Sequence, residues 1–260
     1  MLKMNQILLS DNPLDILRDD QWLSKNFKEL LDLKSFDKGH KDNFQHTLRV
    51  LENVMDETQD IRLYYVALFH DLGKYKTKRY TTGGWVFHGH ETVSARMLKP
   101  IYDRFKLDPS TFQFVYNIVR YHGETRNVFG ENSTDSAIRR LYKNLIFNID
   151  GADYQEIVNA FALFSKCDLT TKNEKLREEV VKNADTFLKR LEEILIDDDK
   201  KQKRYALNGN DIMETFNVKP GKDLGMVLKY IKVSVDSGKL PDDKKVLIDH
   251  VRETFFSKLF

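Results

Sequence analysis

A chain with a single cysteine, Cys167, can form no internal disulfide, which excludes the cross-linked scaffolds of small secreted domains. No stretch approaches the ~20 consecutive apolar residues of a membrane span, and none has the layout of a signal core. Charge of one sign is also missing. The 42 Lys and Arg against 40 Asp and Glu leave only +2, so any nucleic-acid surface has to be a local patch and not a global basic field. Only five prolines and twelve glycines punctuate 260 residues, few breakers for so long a chain. These absences point to a soluble, cytoplasmic protein without membrane association, and nothing in the composition sets an oligomeric state.

What is present is apolar spacing of three and four over long runs, the period of buried helix faces, and the expected class is all-α. Hydrophobic residues make up 41% of the chain, enough for a core. The opening stretch to Lys34, with Leu14, Ile16, Leu17, Trp22, Leu23, Phe27, Leu30 and Leu31, predicts short packing helices broken near Ser10 to Pro13. Phe44, Thr47, Leu48, Leu51, Val54 and Met55 form the buried stripe of the next helix, with His46 at its edge. Lys76 to Thr82 and Trp85 to His88 read as a short β-ribbon turned by Gly83-Gly84. Helices follow from Glu91 and from Phe112 to Tyr121, the latter ended by His122 with Gly123 in the capping place. Asn127 to Ser136 reads as a loop, with Ser133 or Thr134 capping a helix over Ala137 to Asn144. Lys172 to Asp199 is a charged helix, and the run from Asp197 to Arg204 marks a domain boundary before a helical tail.

The centre of the chain is His70-Asp71, at the polar end of the apolar run Tyr64 to Phe69. A buried imidazole and carboxylate need a hydrogen-bonding partner, an opposite charge or a metal, because an unpaired buried charge costs several kcal/mol. Alone, such a doublet is ordinarily a hydrogen-bonded pair. Six of seven histidines, however, fall in the segment from His40 to His122 (His40, His46, His70, His88, His90, His122). Asp168 extends the inward face drawn by Tyr154, Ile157, Val158, Phe161 and Ser165. His46, His70, Asp71 and Asp168 are thus expected to converge. Such a donor set suits manganese, iron, cobalt, nickel or zinc.

This order of histidine, His-Asp doublet and distant aspartate resembles the HD-domain metal-dependent phosphohydrolases. The segments Gly39-His40-Lys41-Asp42-Asn43-Phe44-Gln45-His46-Thr47, Gly84 to Glu91, Thr134 to Leu141 and Cys167 to Asn173 are similar to the HD and tail portion of bacterial tRNA CCA-adding nucleotidyltransferases. Asn208-Gly209-Asn210-Asp211-Ile212-Met213, Lys219-Pro220-Gly221 and Leu224-Gly225 resemble their RNA-holding tail. Three parts are expected: packing helices over 1–35, outside the resemblance, and, as it implies, an HD phosphohydrolase domain over 36–199 and a helical tail over 200–260. The polymerase head of those enzymes has no counterpart in residues 1–35, so no nucleotide addition is expected.

By the same resemblance the activity is hydrolysis of a nucleotide or RNA-end phosphoester, with a 2′,3′-cyclic phosphate leading and tRNA as a candidate partner. A non-catalytic RNA-binding or regulatory module is the alternative. One or two divalent ions would be held by His46, His70, Asp71 and Asp168, with His90 and His122 in place for a second. His88 and His90 could instead only orient the ribbon. His70, Asp71 and Lys74 are the expected catalytic residues. His40, Lys74, Arg139 and Arg140 are the expected substrate contacts, although Lys74 and one of the two arginines could equally be solvated or paired.

Overall fold

A computed structural model describes residues 4–34, 42–130, 132–149, 154–202 and 205–256. Four short helices come first: α1 (Met4–Leu8), α2 (Pro13–Arg18), α3 (Asp20–Asn26) and α4 (Lys28–Leu31). Then come α5 (Asn43–Glu57), α6 (Ile61–Phe69), the single turn α7 (Lys74–Thr77) and the antiparallel ribbon β1 (Arg79–Thr81) and β2 (Gly84–Val86). They are followed by α8 (His90–Phe105), α9 (Phe112–Tyr121), α10 (Thr125–Val128), α11 (Asp135–Leu145), α12 (Tyr154–Cys167) and α13 (Glu174–Gln202). The tail holds α14 (Gly209–Phe216), α15 (Lys222–Asp236) and α16 (Lys244–Phe255). The fold is all-α, with one short ribbon among the described residues, and no described helix is long and apolar enough to cross a membrane.

It divides into two compact units, Met1–Ile194 and Leu195–Phe260, with the boundary inside α13. In the first, α6 is the axis. Every residue from Leu63 to Phe69 is buried, and α1, α5, α8, α9 and α12 all lie against it. A helix apolar on all sides has to sit in the interior of a domain. Its start is set by Asp60, whose carboxylate accepts from Arg62 N, and that of α5 by Asp42, which accepts from Phe44 N and Gln45 N. An aromatic cluster joins Phe129, Phe161 and Phe187, tying α13 to α12.

In the second unit Asn208 and Asp211 form a reciprocal capping box at α14. Leu207, Ile212, Val227, Ile231, Leu247 and Val251 make a separate small core.

Three local expectations are corrected and one alternative is resolved. Lys76 and Thr77 are not strand: their N–H groups both bond Gly73 O, closing α7, and β1 begins only at Arg79. Thr125–Val128 is helical inside and before the expected loop. Gly123 has no left-handed φ, so it is not a helix cap; a Cβ there would lie 2.4 Å from Glu91 Oε1, and the glycine instead permits that close approach. Thr134, and not Ser133, caps α11 by accepting from Ala137 N.

Candidate metal centre

Each residue of the centre stands at the end of a helix or on its inward face. His46 lies on the buried side of α5. His70 is the C-cap of α6, and Asp71 follows it into the turn that Gly73 joins to α8. Gly73 N donates to the buried Ser94 Oγ at 2.8 Å, and a Cβ on Gly73 would meet His90 O at 2.4 Å and Ser94 N at 2.7 Å. Absence of a side chain at Gly73 therefore lets the start of α8, which is His90, approach the doublet. His122 follows the last residue of α9. Asp168 follows α12 and keeps its helical bond from Asp168 N to Phe164 O, 2.9 Å, so it continues the inward face.

Three rings are held by the same device. Nδ1 faces the carbonyl three residues back: Ala67 O for His70 at 2.9 Å, Phe87 O for His90 at 2.9 Å and Val119 O for His122 at 2.7 Å. Because a carbonyl only accepts, Nδ1 carries the proton and the neutral ring presents its lone pair at Nε2. Those Nε2 atoms turn towards carboxylates. His70 Nε2 is 3.2 Å from Asp71 Oδ2 and 3.4 Å from Asp168 Oδ1. His90 Nε2 and His122 Nε2 are 3.2 and 3.7 Å from Asp71 Oδ1. His46 Nε2 is 3.0 Å from Asp168 Oδ1, and its Nδ1 is 3.1 Å from Thr170 Oγ1.

A lone pair facing a carboxylate is repulsive unless a proton or metal ion lies between them. His70 Nε2, Asp71 Oδ1 and Asp168 Oδ1 are all buried without a well-aligned hydrogen bond among the described residues. The electrostatics follow. Burial works against a charged His70, but Asp71 and Asp168 outweigh it and push its pKa up to about 10. Burial pushes Asp71 up, yet His70 and Lys74 hold its carboxyl well below the usual range. His70 and His46 do the same against burial at Asp168. The centre attracts positive charge.

Two donor groups emerge, His46 with His70 and Asp168, and Asp71 with His90 and His122, each with its donor atoms within 4.8 Å of one another. The two oxygens of Asp71 serve different sides: Oδ2 is 3.5 Å from His46 Nε2 and 3.2 Å from His70 Nε2, whereas Oδ1 faces His90 and His122. Imidazole nitrogen and carboxylate oxygen in this number fit divalent transition ions.

A cavity of about 430 Å³ opens over Asp71 and Asp168, lined also by Lys74, Trp85, Phe87, His88, His90, Glu91, His122 and Arg126. Lys74 Nζ reaches Asp71 Oδ2 at 2.5 Å. His88 stands exposed at the rim. Arg126 was not legible in the sequence, because no motif marks it; the helical turn Thr125–Val128 brings it to the cavity. Arg139 and Arg140 do not line it. Ile138, Leu141 and Leu145 bury the apolar face of α11, Arg140 lies on the exposed side, and the helix start is held by Arg190, which donates to Ser133 O and Asp135 Oδ1. His40 lies outside the described residues.

Fold and site thus define a helical protein built around clustered histidines and aspartates that suit divalent metal. A family model described as HD domain matches residues 43–189, and the chain belongs to the HD domain family, which binds divalent metals and typically comprises metal-dependent hydrolases. A second model, tRNA nucleotidyltransferase domain 2 (putative), matches residues 154–251. The chain is similar to the CCA-adding enzyme of Streptococcus mutans, 35% identical over 66 residues, which are 25% of this chain and 16% of that protein. It is also similar to the multifunctional CCA protein of Methylococcus capsulatus, 35% over 79 residues (30% and 18%). The one from Thioalkalivibrio sulfidiphilus matches at 28% over 132 residues (49% and 32%). The matched stretches therefore span less than a third of each of these relatives.

Proposed function

We propose that the chain is a metal-dependent phosphohydrolase of a nucleotide or RNA-end phosphoester, cytoplasmic, with a 2′,3′-cyclic phosphate as leading substrate and a nucleoside monophosphate as the next. The observation that supports this best is the set of buried, unsatisfied donor atoms spread over two donor groups, with Asp71 in one of them and its Oδ2 3.2 Å from His70 Nε2 of the other. On this reading His46, His70 and Asp168 would hold one ion and Asp71, His90 and His122 a second, with Asp71 Oδ2 also within reach of the first group. When bound, such ions supply a Lewis acid for a phosphate oxygen and a water acidic enough to attack near neutral pH.

The chain's own residues do the rest. Ala67 O, Phe87 O and Val119 O fix the three rings so that Nε2 stays available, as outer partners of ligating histidines do. Lys74 Nζ, already against Asp71 Oδ2, is placed to neutralise a phosphate oxygen at the cavity floor, and Arg126 to hold a second from the rim. Lys74 and Arg126 offset two of the three carboxylates that line the cavity, Asp71, Asp168 and Glu91, and bound divalent ions would supply the further positive charge that an anionic substrate needs.

The preference for an RNA end comes from the likeness of residues 154–251 to a tRNA nucleotidyltransferase domain and from what the relatives are named for. That likeness is also what favours the second reading, an RNA-binding module without turnover. The experiment is metal content by elemental analysis, then turnover of the loaded protein and of Asp71→Ala on 2′,3′-cyclic mononucleotides, a cyclic-phosphate-ended RNA, linear dinucleotides and nucleoside monophosphates. Asp71-dependent turnover of any of these supports the hydrolase. Its absence on all four leaves the binding module.

A further inference from the structure

From Leu72 to His90 the sequence holds Lys74, Lys76, Lys78 and Arg79 and not one Asp or Glu, in a chain whose basic and acidic residues otherwise nearly cancel, 42 against 40. The same stretch holds Tyr75, Tyr80, Trp85 and Phe87. Interleaved cations and rings are the chemistry of a surface for unpaired nucleic acid, the cations for its backbone and the rings for its bases.

The ribbon puts these groups in order. Its register sets Tyr80 opposite Trp85, and alternation along each strand places Lys78 and Phe87, just outside the paired residues, on that same face. The Tyr80 and Trp85 ring centroids are 5.1 Å apart, and Lys78 Nζ lies 4.3 Å from the Trp85 centroid. Lys74 Nζ lies 5.8 Å from the Phe87 centroid and 2.5 Å from Asp71 Oδ2. Two groups of contacts therefore follow one another along this face, Tyr80, Trp85 and Lys78 on the ribbon and Phe87, Lys74 and Asp71 at the cavity. Trp85 and Phe87 line the cavity. Tyr80 does not, and at 72% exposure it adds nothing to the core. The edge-to-face Tyr80–Trp85 pair supports a ribbon that is marginal on its own, yet Tyr80 keeps most of its surface in water, where a ligand can reach it.

We infer that the ribbon is a stacking platform for the unpaired nucleotides next to the scissile phosphoester, with Trp85 and Tyr80 each beneath a base and Lys76, Lys78 and Arg79 along the strand. The inference rests on the RNA-end reading of the cavity and adds a selection. A duplex keeps its base faces stacked inside, so only an unpaired end can use the rings.

Trp22 and Trp85 are the two tryptophans of the chain, so in a Trp22→Phe background the emission reports Trp85. The full-length, manganese-loaded protein is titrated with hexacytidylate, with a blunt-ended RNA hairpin and with inorganic polyphosphate. Saturable quenching by hexacytidylate alone is expected. Tyr80→Ala should weaken that binding about five- to a hundredfold, as loss of one base–ring stack does, while Tyr80→Phe restores it. Quenching that is absent, or equal with polyphosphate or the hairpin, overturns the platform. So does unchanged affinity in a Tyr80→Ala protein whose circular dichroism matches the parent. Because the titration needs no turnover, hydrolysis without quenching removes this inference alone, and quenching without hydrolysis removes the proposed reaction alone.

Discussion

Replacing Gly73 with Ala tests the geometry of the centre without touching any donor atom. The backbone at Gly73, φ −69° and ψ −15°, is ordinary for alanine, so conformational strain is not the issue. Space is. The new Cβ would lie 2.4 Å from His90 O, 2.7 Å from Ser94 N and 2.9 Å from Val93 Cβ, and two of those three atoms are backbone. Restoring an ordinary contact of 3.4 Å from 2.4 Å requires α8 to retreat by 1.0 Å at its first turn. Such overpacking costs about 1–3 kcal/mol, and stretching the Gly73 N to Ser94 Oγ bond adds about 1 kcal/mol. A total of about 2–4 kcal/mol corresponds to a fall in Tm of roughly 5–15 °C for a unit of this size. The same retreat carries His90 away from Asp71, while His46 on α5 and His70 and Asp168, which directly follow α6 and α12, stay in place. Gly73→Ala should therefore lower the thermal transition and reduce bound manganese from about two ions per chain towards one, as expected when a single donor is displaced from a three-donor group. Melting by circular dichroism and elemental analysis of the same preparation read both effects. A variant that melts within a degree of the parent and holds the same metal would refute the close approach as a determinant of the site.

Other substitutions separate the parts. Asp71→Ala should lose most bound metal and all turnover, since it alone faces both donor groups; retention of two tightly held ions, measured by elemental analysis, counts against its shared role. Phe187→Ala removes a ring packed on Phe129 and Phe161 and should cost about 3–5 kcal/mol, read as a shifted denaturant midpoint with an unchanged metal content after refolding. Asn208→Ala removes the capping box of α14 and should cost about 1 kcal/mol, confined to the melting of the second unit. A chain ending at Asp199 should keep small-substrate hydrolysis but bind tRNA-like RNA more weakly; equal RNA binding by filter assay would take the tail out of the proposed function.

Helices and the His-Asp doublet were legible because their signals are local. Apolar periodicity marks α5, α6, α8, α9, α12 and α15 wherever one face is buried, and burial in α6 extends to all sides, which its unbroken apolar run announces. Thr134 was readable as one of two candidate caps for the same reason. What escaped depends on contacts across the chain. The turn α7 replaces strand because Gly73 O captures two N–H groups, and the glycine itself answers to Ser94 of α8, twenty-one residues further on. Arg126 reaches the cavity through a four-residue helical turn that no pattern signals. Arg139 and Arg140 stood in a stretch similar to a family motif, yet the apolar face of α11 decides their direction and turns Arg140 to solvent.

Adjacency of His70 and Asp71 poses a problem that the helix end resolves. Successive residues on a helix diverge by about 100°, so within a continuing helix the two side chains could meet one ion only at an edge. Here α6 stops at Phe69, and His70 is still helical as its cap, which lets its Nδ1 bond back to Ala67 O and aims Nε2 beyond the last turn. Asp71 stands one residue past the helix, where its carboxylate lies across that axis with Oδ2 towards His46 and His70 and Oδ1 towards His90 and His122. A histidine followed directly by an aspartate at a helix end is thus a way to give one group a fixed imidazole and to give two groups a common carboxylate. Exchange of the pair, His70→Asp with Asp71→His, keeps composition and charge but puts the carboxylate where it can reach only one side. Metal content should fall at least as far as in Asp71→Ala, and a doubly exchanged protein that retained two ions would show that the order of the doublet has no bearing on the site.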